Sequence, residues 1–294
     1  MLNNRHIRII LTALVIFTTG AVFAVPPAGK EKWMKITSAN YTLFTNRSGR
    51  GAQTMILQDL EEVRSCFITY IPELAVSSVK TKGIVRVFRT RKNYLDAVGE
   101  NFKWSGGLWN GKELLISPPE NEKYARGARL TIKRVMFHEG FHQYLASVMP
   151  GIYVDMWFNE GCAQFFENTD ARKRIKLNEN LERHIASIVA KYPFTVKQLI
   201  SLSYKDFYAP QTRDANYACA LAFVYYLLKG AKAENLPAAD IPAFYISQLK
   251  KYRNHKKALN AVAAKFDLKS IDADWRKFWK NPKRLRKAAR YMPR

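Results

Sequence analysis

Cysteine and acidic side chains are scarce in this chain, and each scarcity excludes something. Its 294 residues hold three cysteines, Cys66, Cys162 and Cys219. That number is too small and too odd for a disulfide framework, so at most one bridge can form, and spacing does not say which. No CxxC pair occurs, which removes a cysteine-based zinc site. The plainest role for each thiol is that of a small buried apolar residue. Acids number 24 against 48 lysines and arginines, for a formal charge of +24. Such a field favours polyanionic neighbours such as anionic lipid, cell-wall polymer or acidic substrates. No nucleic-acid-binding motif accompanies it, so a specific nucleic-acid partner is not expected. Internal repeats and low-complexity linkers are also missing. The length is about the upper limit for one hydrophobic core, so one domain or two tightly joined lobes is expected.

The first 24 residues read as a secretory signal peptide. Arg5 and Arg8 precede an uncharged run from Ile9 to Phe23, and Val22 and Ala24 form a small-residue cleavage site before "VPPAGK". The mature protein is therefore expected outside the cytoplasm, secreted or periplasmic. The alternative is an uncleaved run that tethers it to the membrane, although the run is short for a span of about 20 residues. No cysteine follows the run to carry a lipid.

Further along, "YTLFTN" (41–46), "GIVRVFRT" (83–90) and "KELLIS" (112–117) read as strands. Residues 52–67 space Ile56, Leu60, Val63 and Phe67 as an amphipathic helix, and "KNYLDAVG" reads as a short one. From Arg126 the pattern is helical, with breaks near Pro150, Pro193, Pro210 and Pro237. This order predicts an α+β fold, with a small mixed β-sheet lobe (25–120) followed by a mainly helical lobe (121–280). Residues 281–294 form a basic tail. From Arg276 to the end, nine of nineteen residues are basic and none is acidic. The tail either binds an anionic surface or is a solvated basic helix or frayed terminus.

The chemistry concentrates in "HEGFH", residues 138–142. Residues four apart on a helix share a face, so His138 and His142 can turn their rings toward one point, as a tetrahedral zinc ion requires. Glu139 between them cannot reach that point, but it is placed to act as a general base. A third ligand is needed. The HxxGxxH pattern that would supply a histidine fails, because Leu145 and Val148 occupy its glycine and histidine positions.

After seventeen intervening residues His142 is followed by Glu160, inside "WFNEGCAQFFE". The pair of motifs resembles the gluzincin metallopeptidases, in particular the peptidase-MA-like group and the aminopeptidases with a "WLNEGFA" element. The likeness is sharp at residues 138–167 and thin elsewhere. It implies a zincin-like catalytic domain with the zinc-binding helix at the junction of the lobes. His138, His142 and Glu160 would hold one Zn2+ per chain, and Glu139 would be the base of peptide-bond hydrolysis. By the same resemblance, "NYACALAFVYYLL" would place Tyr217 as a donor to the oxyanion, and "ELLIS" would be an edge strand that holds extended peptide. "GLWNG" before it would shape the cleft or simply form turns.

Two departures stand out. Gln164 replaces the aspartate that orients a zinc histidine in thermolysin-like enzymes, which leaves Gln164, Glu167 or a backbone carbonyl for that task. The Gly-x-Met-Glu-Asn element that reads a free amino terminus is also absent. Of the other histidines, His6 leaves with the signal. His184 reads as a helix-surface residue, and His255, in "RNHKK", as part of a solvated charge run. The reading is a secreted zinc metallopeptidase acting on a peptide or protein. Its alternative is a non-catalytic extracytoplasmic binding protein on the same scaffold, attached to anionic surfaces.

Overall fold

The computed structural model describes residues 33–46, 50–75, 81–103, 105–118, 126–170 and 174–293, with side chains from 53 in the first helix and from 132 in the third. The proposed signal peptide lies outside the described residues. Among the described residues, no helix is long and apolar enough to cross a membrane.

The fold is α+β, as the element order predicts. The described part of residues 1–62 and 78–144 makes one compact unit, and that of residues 63–77 and 145–294 a second. Two helices, α1 (Arg50–Tyr70) and α3 (Arg126–Val148), run unbroken through the points of division.

The first unit is built on a mixed five-stranded sheet of β1 (Met34–Thr37), β2 (Tyr41–Thr45), β3 (Gly83–Val87), β4 (Gly107–Trp109) and β5 (Glu113–Ile116), in the order β1-β2-β3-β5-β4. β2, β3 and β5 pair in parallel, and the outer strands β1 and β4 pair antiparallel to their neighbours. α2 (Arg91–Val98) follows β3 and is capped by the Thr90 side chain. It covers a cluster of Phe88, Tyr94, Val98, Phe102, Leu108 and Leu115.

The sheet corrects one expectation. The strand in "ELLIS" is β5, an interior strand, and the true edge is β4 within "GLWNG". Three residues led by a glycine are too short to carry an alternating pattern, so this strand was not visible as one.

The second unit is helical. It holds α4 (Met156–Glu167), α5 (Glu179–Lys191), α6 (Val196–Ile200), α7 (Tyr204–Phe207) and α8 (Arg213–Tyr225), which widens into a π-helical turn at Tyr226–Ala231 before α9 (Lys232–Glu234). α10 (Ile241–Tyr252), α11 (His255–Lys265), α12 (Leu268–Trp279) and α13 (Pro282–Arg290) complete it. Residues 216–231 of α8 and its π turn are all buried, so this apolar rod is the core around which the other helices pack. α4 crosses it at Gly161, where an added Cβ would stand 2.7 Å from the Ala220 carbonyl oxygen. Only glycine allows that approach.

Candidate metal centre

α3 stays helical through "HEGFH" because apolar residues fill its inner face: Val135, Met136, Phe137, Phe141 and Tyr144 are all buried. His138 and His142 stand one turn apart, with ring centroids 5.0 Å from each other and planes at 76°. Gln143 ties the same turn to the sheet, its Nε2 donating to the Ile84 carbonyl at 2.9 Å.

Glu139 is fully buried, and its Oε2 accepts the backbone N–H of Trp109 at 2.9 Å. This donor comes from the edge strand β4. Gly106 and Gly107 let the strand lie against α3, since a Cβ on Gly107 would come within 2.6 Å of Val135 Cγ1. Of the glycines in this segment, Gly111, at φ +90°, serves the turn.

α4 is held at its start and along its length. Asp155, just before the helix, is buried and accepts the Tyr245 hydroxyl at 2.6 Å and pairs with His255 Nδ1 at 2.7 Å. Burial raises the Asp155 carboxyl above the ordinary range, although Tyr245 and His255 pull it down. His255 is thus not the solvated member of a charge run that "RNHKK" suggests. Its ring also packs on Tyr153, with centroids 4.6 Å apart. The partner it needed lies a hundred residues away, which no local pattern announces.

Glu160 is fully buried in α4, and the Tyr208 hydroxyl donates to its Oε1 at 2.6 Å. Burial, helped by the Glu160 charge, pushes the Tyr208 hydroxyl well above the usual phenol range, so it remains a donor at any physiological pH. Asn216 of α8 places Tyr208 by donating to the carbonyls of Phe207 at 3.0 Å and Asp206 at 3.2 Å, while accepting the Tyr192 hydroxyl at 2.6 Å. Tyr208 was not singled out in the sequence, which contains fifteen tyrosines and no pattern around this one. Tyr217 is buried, with its ring 5.9 Å from that of Tyr208 and 5.3 Å from that of Phe207. Gln164 Nε2 donates to the Tyr217 carbonyl at 3.0 Å, so its amide nitrogen joins α4 to α8.

His138, His142 and Glu160 each offer a ligand atom, and these atoms all lie within 4.8 Å of one another, with all three residues buried. Donors about 2.0–2.1 Å from a tetrahedral zinc ion stand about 3.3 Å apart, a spacing inside the 4.8 Å limit of this group. Two imidazoles and a carboxylate are a donor set suited to zinc, and the three residues fit it.

Residues 132–239 match the profile of a family described as "Protein of unknown function (DUF1570)". The matched stretch contains both histidines, Glu139, Glu160, Tyr208 and Tyr217. It brings no activity with it. No curated protein matches the chain.

The remaining residues singled out in the sequence fall outside this cluster. His184 is half-buried on α5. Cys66, Cys162 and Cys219 are buried and form no disulfide, and burial raises the thiols of Cys162 and Cys219, which makes those two inert packing residues.

Proposed function

We propose that the protein is an extracytoplasmic zinc-dependent hydrolase of peptide bonds. The observation that carries this reading is the gathering of His138, His142 and Glu160 within 4.8 Å of one another, fully or nearly fully buried, beside a glutamate fixed by a backbone donor. Zinc, when bound by these three residues, supplies a Lewis acid and lowers the pKa of water toward neutrality.

The chain's own residues do the rest. Glu139 accepts a proton at its carboxylate as water adds to the scissile carbonyl carbon. It then delivers that proton to the leaving nitrogen as the C–N bond breaks, giving a carboxylic acid and an amine, which become carboxylate and ammonium when the acid's proton passes to the amine. Trp109 N–H keeps the Glu139 carboxylate in one orientation through both transfers. Tyr208 holds Glu160 in place as a ligand, and Tyr217, in contact with Tyr208, is the proposed donor to the oxyanion. The uncharged run at Ile9–Phe23 supports a site of action beyond the cytoplasmic membrane.

The test is zinc content by elemental mass spectrometry of the purified protein and of Glu160→Ala, followed by a peptide-library screen with Glu139→Gln as control. The expected result is one zinc per chain, largely lost in Glu160→Ala, with cleavage reduced about 10²–10⁴-fold in Glu139→Gln. Folded wild-type protein without zinc would end this reading. A zinc-loaded protein that cleaves nothing in the library would favour the non-catalytic scaffold.

A further inference from the structure

The basic tail is not used by the proposed chemistry, and the structure gives it a definite form. α13 is fixed from within. Asn281 caps it, Pro282 starts it, and Ala288 is buried. The Arg284 guanidinium reaches Glu234 at 2.9 Å and Asp274 at 2.8 Å. The other four bases of the helix, Lys283, Arg286, Lys287 and Arg290, are all exposed and fall at positions i, i+3, i+4 and i+7, which is one stripe along the outer face. The two acids that touch the helix are both engaged by Arg284, and the sequence from Arg276 onward contains no acid at all.

Folding does not explain this stripe. Like charges three and four residues apart repel each other. Lys283 also stands in the first turn, at the positive end of the helix dipole, where an acid would be favourable. Lys287 and Arg290, in the last turn, do suit the negative end of the dipole, but that favours only two of the four bases and leaves the repulsion along the stripe.

We propose that the outer face of α13 docks the protein on a bilayer containing anionic phospholipid. Lipid is favoured over a soluble polyanion on two grounds. Tyr291 follows directly at the end of the stripe, where an amphipathic side chain suits the headgroup region, and beside it the exposed Met292 accepts the Tyr70 hydroxyl through its sulfur. Grooves for linear nucleic acid pair their charge with successive aromatic platforms, and the stripe has a single aromatic neighbour, Tyr291 at its end. The apolar run Ile9–Phe23, read as signal or anchor, brings the chain to a membrane in either case.

The experiment is sedimentation of the full chain with phosphatidylcholine vesicles, with and without about one-third phosphatidylserine, at low and high salt. The apolar run contributes alike to both vesicle types, so the ratio between them is the readout. Two variants are compared: Lys283→Gln/Arg286→Gln/Lys287→Gln/Arg290→Gln on the stripe, and Lys197→Gln/Lys256→Gln/Lys257→Gln/Lys269→Gln at four exposed lysines elsewhere in the same unit. Circular dichroism verifies that both remain folded. Each base near an anionic surface is worth about fivefold in partitioning. The stripe variant should therefore lose nearly three orders of magnitude of its preference for phosphatidylserine vesicles, and the control less than about tenfold. Equal losses in the two variants would reduce the effect to diffuse net charge and overturn the proposal. So would a wild-type protein with no preference for the anionic vesicles, or one that binds heparin through the stripe while ignoring them.

Discussion

Tyr208 illustrates what a single side chain adds to the proposed ligand set. A carboxylate has two oxygens and a freely rotating end, and the phenol 2.6 Å from Glu160 Oε1 fixes that rotation. Partners that orient metal ligands are commonly worth 10–100-fold in affinity. Tyr208→Phe keeps the ring and removes the donor, so zinc binding measured by competition with a chromophoric chelator should weaken about tenfold with the fold intact. Unchanged affinity would make Tyr208 a packing residue only. The two histidines and Glu160 were legible because a helical turn fixes the spacing of the pair and because "NEG" falls at a workable distance. Tyr208 and His255 were not, since each is defined by a partner 48 or 100 residues away.

The elements were legible wherever an apolar period had room to repeat. Residues 41–46 and the helix over 52–67 appear as β2 and α1 within a few residues. β1 and β4, of four and three residues, did not. The resemblance made β5 the edge strand, while β4, which is the edge, stayed unseen and with it the donor to Glu139. The crossing of α4 over α8 makes a prediction of its own. Gly161→Ala would gain about 1 kcal/mol of helix propensity. The new Cβ, however, would meet the Ala220 carbonyl oxygen at 2.7 Å, and a backbone atom cannot swing away. Overpacking should win, lowering stability by about 1–3 kcal/mol in urea unfolding. A stability equal to or above wild type would show that α4 can slide on α8.

For the molecule as a whole, the α+β class followed from the order of strand-like and helical segments, while the charge balance left buried cations out of sight. Lys229, in the π turn, is fully buried, with Nζ donating to the carbonyls of Ile175 at 3.0 Å and Ala289 at 3.4 Å. Burial, with Arg174 nearby, lowers its pKa from 10.5 to about 8. The unfolded chain therefore holds this proton more tightly than the native one, and stability should rise with pH between about 8 and 10.5. The full effect is worth up to about 3 kcal/mol. Lys229→Met should flatten that part of the profile relative to wild type, and parallel profiles would assign the slope to other groups. Chain order adds a consequence in time. Asp155, which anchors the helix carrying Glu160, is joined by a histidine 100 residues downstream. At roughly 5–20 residues per second, a growing chain waits about 5–20 s between making the one and making the other. Throughout that interval Asp155 lacks His255, and for most of it Tyr245 as well, so the anchor of the Glu160 helix is completed only late in synthesis.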